Sequence, residues 1–144
     1  MTYTLKHLED ASGFAASFDL MRVLRPHMSE PAAYVAQLLR QVEQGYRLLA
    51  LCKAQQLVGL AGYRELENLL YGRFIYVDDL VVSPTLQRSG LGAQLLSAVR
   101  AQAVQRGCDH LVLDTGLHMP LAQRFYFRQG LLARGMHFTQ SLHA

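Results

Sequence analysis

Apolar and polar positions alternate through YTLKHL, residues 3–8, which predicts a first strand. Helical spacing follows. Phe14, Phe18, Met21 and Leu24 fall along one side of residues 11–24, and Pro26 stops that helix. SEPAAYVAQLLRQVEQG, 29–45, predicts a second helix, with Ser29 as N-cap, Pro31 in the tolerated first turn and Gly45 closing it. YRLLALC (46–52) and QLVGLAGYRE (56–65) flank a short turn and predict a hairpin. RFIYVDDLVV, 73–82, is the most strand-like run, rich in β-branched and aromatic residues. From 90 to 106, Leu91, Leu95, Val99 and Ala103 recur at four-residue intervals, flanked by Leu96 and Val104, and Gly107 caps the end. CDHLVLDT (108–115) predicts a strand. Residues 120–129 predict a short helix ended by Gly130, and LLARGMHFTQSL (131–142) a last, less regular strand. The order β-α-α-β-β-β-α-β-α-β describes one mixed α/β domain over 1–144. Its 73–115 stretch is expected to make a right-handed crossover between parallel strands.

Composition narrows the class. With 144 residues, 51% of them hydrophobic, the chain can bury a core and is not disordered. No apolar run reaches the roughly 18 residues of a membrane span. The start, MTYTLKHLED, lacks the features of a signal peptide, so the expected location is cytoplasmic. The net charge of +3 comes from scattered basic residues, without the Lys/Arg run of a nucleic-acid binder. Cys52 and Cys108 read as reduced thiols in or beside strands. The six histidines never take the i, i+4 spacing of a helical metal pair, so no metal is expected.

Candidate chemistry centres on LQRSGLGAQLL, 86–96. A glycine-rich entry to a helix presents unpaired N–H groups and the positive end of the dipole to an anion. A P-loop would need G-x-x-x-x-G-K-[ST], which is absent. A dinucleotide fingerprint would need a third glycine where Leu95 stands. The pattern Q/R-x-x-G-x-G/A is filled by Gln87, Gly90 and Gly92. Alone, it reads more readily as a glycine turn before an ordinary helix.

In context, VDDLVVSPTLQRSGLGAQLL resembles the GNAT superfamily, the Gcn5-related N-acetyltransferases. Downstream, LAQRFYFRQGLLARG is similar to that family's second conserved region, A-x-x-x-Y-x-x-x-G, with Ala122, Tyr126 and Gly130 in register. The element order matches too, so the resemblance covers the whole chain. It implies a mixed, mostly antiparallel sheet flanked by helices, with a parallel pair that splays apart. One departure is GLHMP, 116–120, where many members carry an Asn that touches the cofactor.

The resemblance implies acetyl-CoA as co-substrate. N–H groups of Arg88, Ser89, Gly90, Leu91, Gly92 and Ala93 would meet the pyrophosphate, with both glycines permitting close approach. Arg88 adds charge or points to solvent, Gln87 fixes the loop, and Ser89 caps the helix or touches phosphate. The pantetheine arm would pair like an extra strand with Leu80, Val81 and Val82. A backbone N–H near Leu80 or Val81 is the candidate oxyanion donor. Tyr126 would be the acid for the leaving thiolate, against the alternative of one more core aromatic. Asp78 is the first candidate for the base. Strand alternation puts Asp79 on the opposite face unless a bulge intervenes, and Asp79 could instead hold a helix end or an arginine. Glu65 and Glu67, placed after the preceding strand, could recruit a cationic amine or form a solvated loop. Asp114 reads as structural.

The expected function is acetyl-CoA-dependent N-acetyl transfer to a primary amine of a small molecule or peptide, by direct attack on the thioester. The alternative is a non-catalytic acyl-CoA-binding or partner-binding module. No nucleic acid or membrane partner is expected. The exposed apolar end of such a sheet could pair two copies into a homodimer.

Overall fold

A computed structural model describes residues 2–143. The chain forms two compact units, the first ending at Leu113 and the second beginning at Asp114.

The first unit is built on a five-stranded sheet in the order β1-β2-β3-β4-β5. Its strands are β1 (Tyr3–Leu8), β2 (Tyr46–Lys53), β3 (Gln56–Asn68), β4 (Gly72–Val82) and β5 (His110–Leu113). The first four pair antiparallel, and β5 joins β4 in parallel. Between β1 and β2 come α1 (Ala11–Leu24) and α2 (Pro31–Glu43), and α3 (Leu91–Gln105) links β4 to β5.

Local chemistry sets the boundaries. Asp10 caps α1 by accepting from the Gly13 N–H at 2.8 Å. The second helix differs from the sequence expectation. Its N-cap is Glu30, not Ser29, with no side-chain cap bond. Pro31 at the first helical position lacks an N–H to leave orphaned and supplies the start by itself.

The centre of the sheet is buried on both faces. Leu48, Ala50 and Cys52 of β2 join Phe14, Phe18 and Met21 of α1 and Tyr34 and Leu38 of α2 in one cluster. Leu49 and Leu51 of the same strand are also buried, so the run LLALC lacks the polar alternation of a half-exposed strand. The third helix buries Leu91, Leu95, Leu96, Val99 and Ala103 and contacts β3, β4 and β5. Its predicted apolar stripe is the buried one, except that Val104 is exposed.

In the second unit α4 spans Pro120–Arg128. The expected last strand at 131–142 is not formed among the described residues. That segment offers little continuous β-forming sequence, and Leu132, Met136, Phe138 and Leu142 are exposed.

Candidate active site

The DD pair of β4 lies at a break in the β3–β4 ladder. Gly62 pairs with Asp79, but Tyr63 pairs with Val77, so Asp78 is the extra residue of a bulge. A regular strand would send Asp78 and Asp79 to opposite faces. The bulge instead lets both line one cleft of about 410 Å³, together with Met21 and Arg25, Tyr34 and Gln41 of α2, Tyr46 and Tyr76.

Each carboxylate has its own guanidinium. Asp78 takes a two-point contact from Arg64, Nε to Oδ2 and Nη2 to Oδ1, both 2.9 Å. Asp79 Oδ1 accepts from Arg25 Nε at 3.0 Å and Nη2 at 2.9 Å, and its Oδ2 accepts from the Tyr46 hydroxyl at 2.8 Å. Arg25 Nη2 also donates to the Asp78 carbonyl at 2.8 Å. Because Arg25 is the C-cap residue of α1, these bonds tie the end of that helix to the bulge. The two sequence alternatives for Asp79, holding a helix end or an arginine, thus coincide in Arg25.

Burial pushes the Asp78 carboxyl above its ordinary value, although Arg64 pulls the other way and Asp79 adds to the rise. Burial also pushes the Tyr46 phenol well up, and the Asp79 charge adds to it, so Tyr46 remains a donor. Tyr46 reaches Asp79 only because position 62 is glycine. A Cβ there would overlap the Tyr46 hydroxyl.

Beyond the bulge, β5 stops pairing with β4 at Val77↔Leu113, while β4 runs on through Leu80, Val81 and Val82. On the other side those residues remain paired to Ala61, Leu60 and Gly59. Within this unit the last residues of β4 therefore have a ladder on one side only. This is the expected opening of the sheet.

A 3₁₀ turn, Pro84–Leu86, then leads into the glycine loop. Gln87 Nε2 donates to the Val82 carbonyl at 3.5 Å, a weak tie from the loop to β4. Ser89 Oγ bonds back to the Leu86 carbonyl and caps nothing in α3. Arg88 and Gly90 both take left-handed backbone, with φ of 66° and 83°. Gly90 is the N-cap, and no side chain caps the helix. Nothing lies within 4 Å of where a Gly90 Cβ would stand. Gly92 and Ala93 sit in the first helical turn, so of the two glycines only Gly90 supplies the unusual dihedral. First-turn N–H groups with no side-chain cap, beside open space, fit an anionic group such as a pyrophosphate.

Glu65 and Glu67 are within β3, not after it. Glu65 lies 3.5 Å from Arg73 and 3.6 Å from Arg106, so it is part of an ion-pair cluster. In the second unit Tyr126 lies on α4 in an edge contact with Phe125, ring centroids 5.3 Å apart, and burial raises its phenol pKa. Asp114 pairs with His137 at 2.8 Å. Arg25, Arg64, Tyr46 and Gly62 were not singled out from sequence. Their partners lie up to 54 positions away, and no local spacing marks such contacts.

The family model for the acetyltransferase (GNAT) family matches residues 13–131. An aminoalkylphosphonate N-acetyltransferase of Salmonella typhimurium is 33% identical over 66 residues, 46% of this chain and 43% of that relative. The match thus spans less than half of the relative's length. Among solved structures, a transcriptional regulator from Bacillus halodurans superposes with a TM-score of 0.86 at 19% identity, covering 98% of this chain and 100% of the other. An aminoglycoside N-acetyltransferase in complex with CoA superposes with a TM-score of 0.85 at 14% identity, covering 99% and 96%. At these identities the likeness is one of fold. The family model, spanning most of the chain, carries the assignment further: this chain belongs to the acetyltransferase (GNAT) family.

Proposed function

We propose that residues 1–144 form one acetyltransferase domain that moves an acetyl group from acetyl-CoA to a primary amine by direct attack. The observation that carries this reading is the continuity of the site along one stretch of the chain. The bulged carboxylates, the one-sided end of β4 and the uncapped start of α3 follow each other from Asp78 to Ala93. Family membership supports acetyl transfer. A relative that acts on an aminoalkylphosphonate supports a small-molecule acceptor over a peptide.

In this reading, N–H groups from Arg88 to Ala93 hold the pyrophosphate, and Gln87 braces the loop. Leu80, Val81 and Val82 offer their open backbone edge to the amide-bearing arm. Bound acetyl-CoA supplies the activated acetyl thioester. The N–H of Leu80 or Val81 donates to its carbonyl oxygen as negative charge builds there. Asp78 removes the amine's proton directly or through water; its raised pKa makes it a better base than an ordinary aspartate. Asp79, which accepts two bonds from Arg25 and one from Tyr46, holds the bulge in shape. Tyr126, in register with Ala122 and Gly130, is the residue that the family resemblance assigns as acid for the leaving thiolate.

Incubation with acetyl-CoA and a panel of amines, with thiol detection, tests the reading. Amine-dependent thiol release is expected. CoA binding by calorimetry with no thiol release on any amine would establish the non-catalytic alternative instead.

A further inference from the structure

We propose that the cleft takes a zwitterionic acceptor, a small amine joined by a short spacer to an oxyanionic group such as a phosphonate or carboxylate. This rests on the acyl-transfer reading and names the substrate class of the same cleft.

Charge is the first argument. Among the described residues Asp78 and Asp79 are the only carboxylates lining the cleft, and each is matched by a guanidinium, Arg64 and Arg25. Acids and bases cancel. A polycationic acceptor needs a surplus of carboxylate and finds none. An acceptor carrying one charge of each sign matches a neutral cleft whose charges are separated.

Accessibility decides where the anion goes. In the Arg25–Asp79 pair the Asp79 side chain is 15% exposed and the Arg25 side chain 42%. The carboxylate is covered and the guanidinium is not. The bonds to Asp78 and Asp79 use Nε and Nη2, three of the five N–H donors of a guanidinium. His27, Gln37 and Gln41 line the same cleft and add polar groups, with no further acid. An oxyanion beside Arg25 therefore meets donors.

Spacing follows from connectivity. Arg25 already donates to the carbonyl of Asp78, the residue whose carboxylate receives the amine. The cation-binding and anion-binding groups thus lie at the same bulge, so the spacer between the acceptor's charges is short. Met21, Met28 and Leu38 supply apolar surface for it.

Four acceptors of matched length test this: 2-aminoethylphosphonate, β-alanine, n-propylamine and 1,3-diaminopropane. We expect kcat/KM for at least one of the two acidic amines to exceed that for n-propylamine by at least about tenfold, with the diamine poorest. The two acidic arms separate phosphonate from carboxylate. Arg25→Lys is expected to keep much of the preference, and Arg25→Gln to bring the ratio of acidic to neutral amine close to one. The ratio is taken within one variant, so a general loss of activity cancels. A preference for n-propylamine or the diamine, or an unchanged ratio in Arg25→Gln, overturns the inference. Calorimetric titration of the CoA-bound protein with the two acidic amines gives a readout without turnover. Binding of either without thiol release on any amine sustains the inference and overturns the catalytic reading. Binding of neither overturns the inference alone if other amines are acetylated.

Discussion

At the scale of single residues, two adjacent aspartates of one strand have different environments, and their roles should separate experimentally. Burial raises the Asp78 pKa, so the rate should climb as pH rises through that raised value. Asp78→Asn should lower turnover and flatten this acidic limb, while Asp79→Asn keeps the limb and moves it to lower pH, because a neighbouring negative charge is lost. A limb lost only in Asp79→Asn would reverse the assignment. The same shift fixes a stability sign. A carboxyl raised on folding contributes stability below its unfolded pKa of about 3.9, and this is lost as pH rises through the folded value. Urea melts should therefore show wild type losing ground to Asp78→Asn across that window. For Tyr126, whose pKa burial raises, the phenol stays protonated at neutral pH. Tyr126→Phe should lower kcat while calorimetric CoA affinity changes little; wild-type turnover would remove the acid role. The DD pair and the glycine loop were visible in the sequence because they are contiguous. The guanidinium partners were not, since Arg25 meets Asp79 across 54 positions and only the folded sheet brings them together.

At the scale of elements, the bulge depends on a neighbouring strand having no side chain at one point. Gly62→Ala places a Cβ into the Tyr46 hydroxyl and should push Tyr46 off Asp79. Overpacking of this kind costs about 1–3 kcal/mol. Gly135→Ala, with nothing within 4 Å of the new atom, should fall within about 0.5 kcal/mol of wild type. Denaturant melts of both variants check the contrast, and equal stabilities would mean that Tyr46 yields without cost. Elements with a strong local signal were legible. The first strand and helix match their predicted bounds because alternation, a helical stripe and Asp10 coincide there. The bulge was not legible, because VDDLVV reads as an uninterrupted strand and the extra residue shows only in its pairing with Gly62 and Tyr63. At 131–142 the scattered apolar residues suggest a strand that their sparse β-forming sequence does not sustain.

At the scale of the whole molecule, ligand binding at one loop should appear as stability of the fold. A ligand that binds only the native state adds RT ln(1 + [L]/Kd), about 2.7 kcal/mol at one hundred times Kd. For a chain of this size that corresponds to a rise in melting temperature of roughly 5–10 °C. CoA should produce such a rise if the start of α3 is its anchor. Gly90→Val isolates the loop from the remaining contacts. Gly90 has a φ of 83°, where a β-branched residue is strained by about 1–2 kcal/mol, and a side chain would fill the open space beside the first-turn N–H groups. The variant should melt somewhat lower than wild type without ligand and lose most of the CoA-induced rise. The two effects are separable, because the first is read in the absence of CoA and the second as a difference within each protein. A full CoA-induced rise in Gly90→Val would show that the pyrophosphate is held elsewhere, and the acyl-transfer reading would then lose the anchor that orders the site from Asp78 to Ala93.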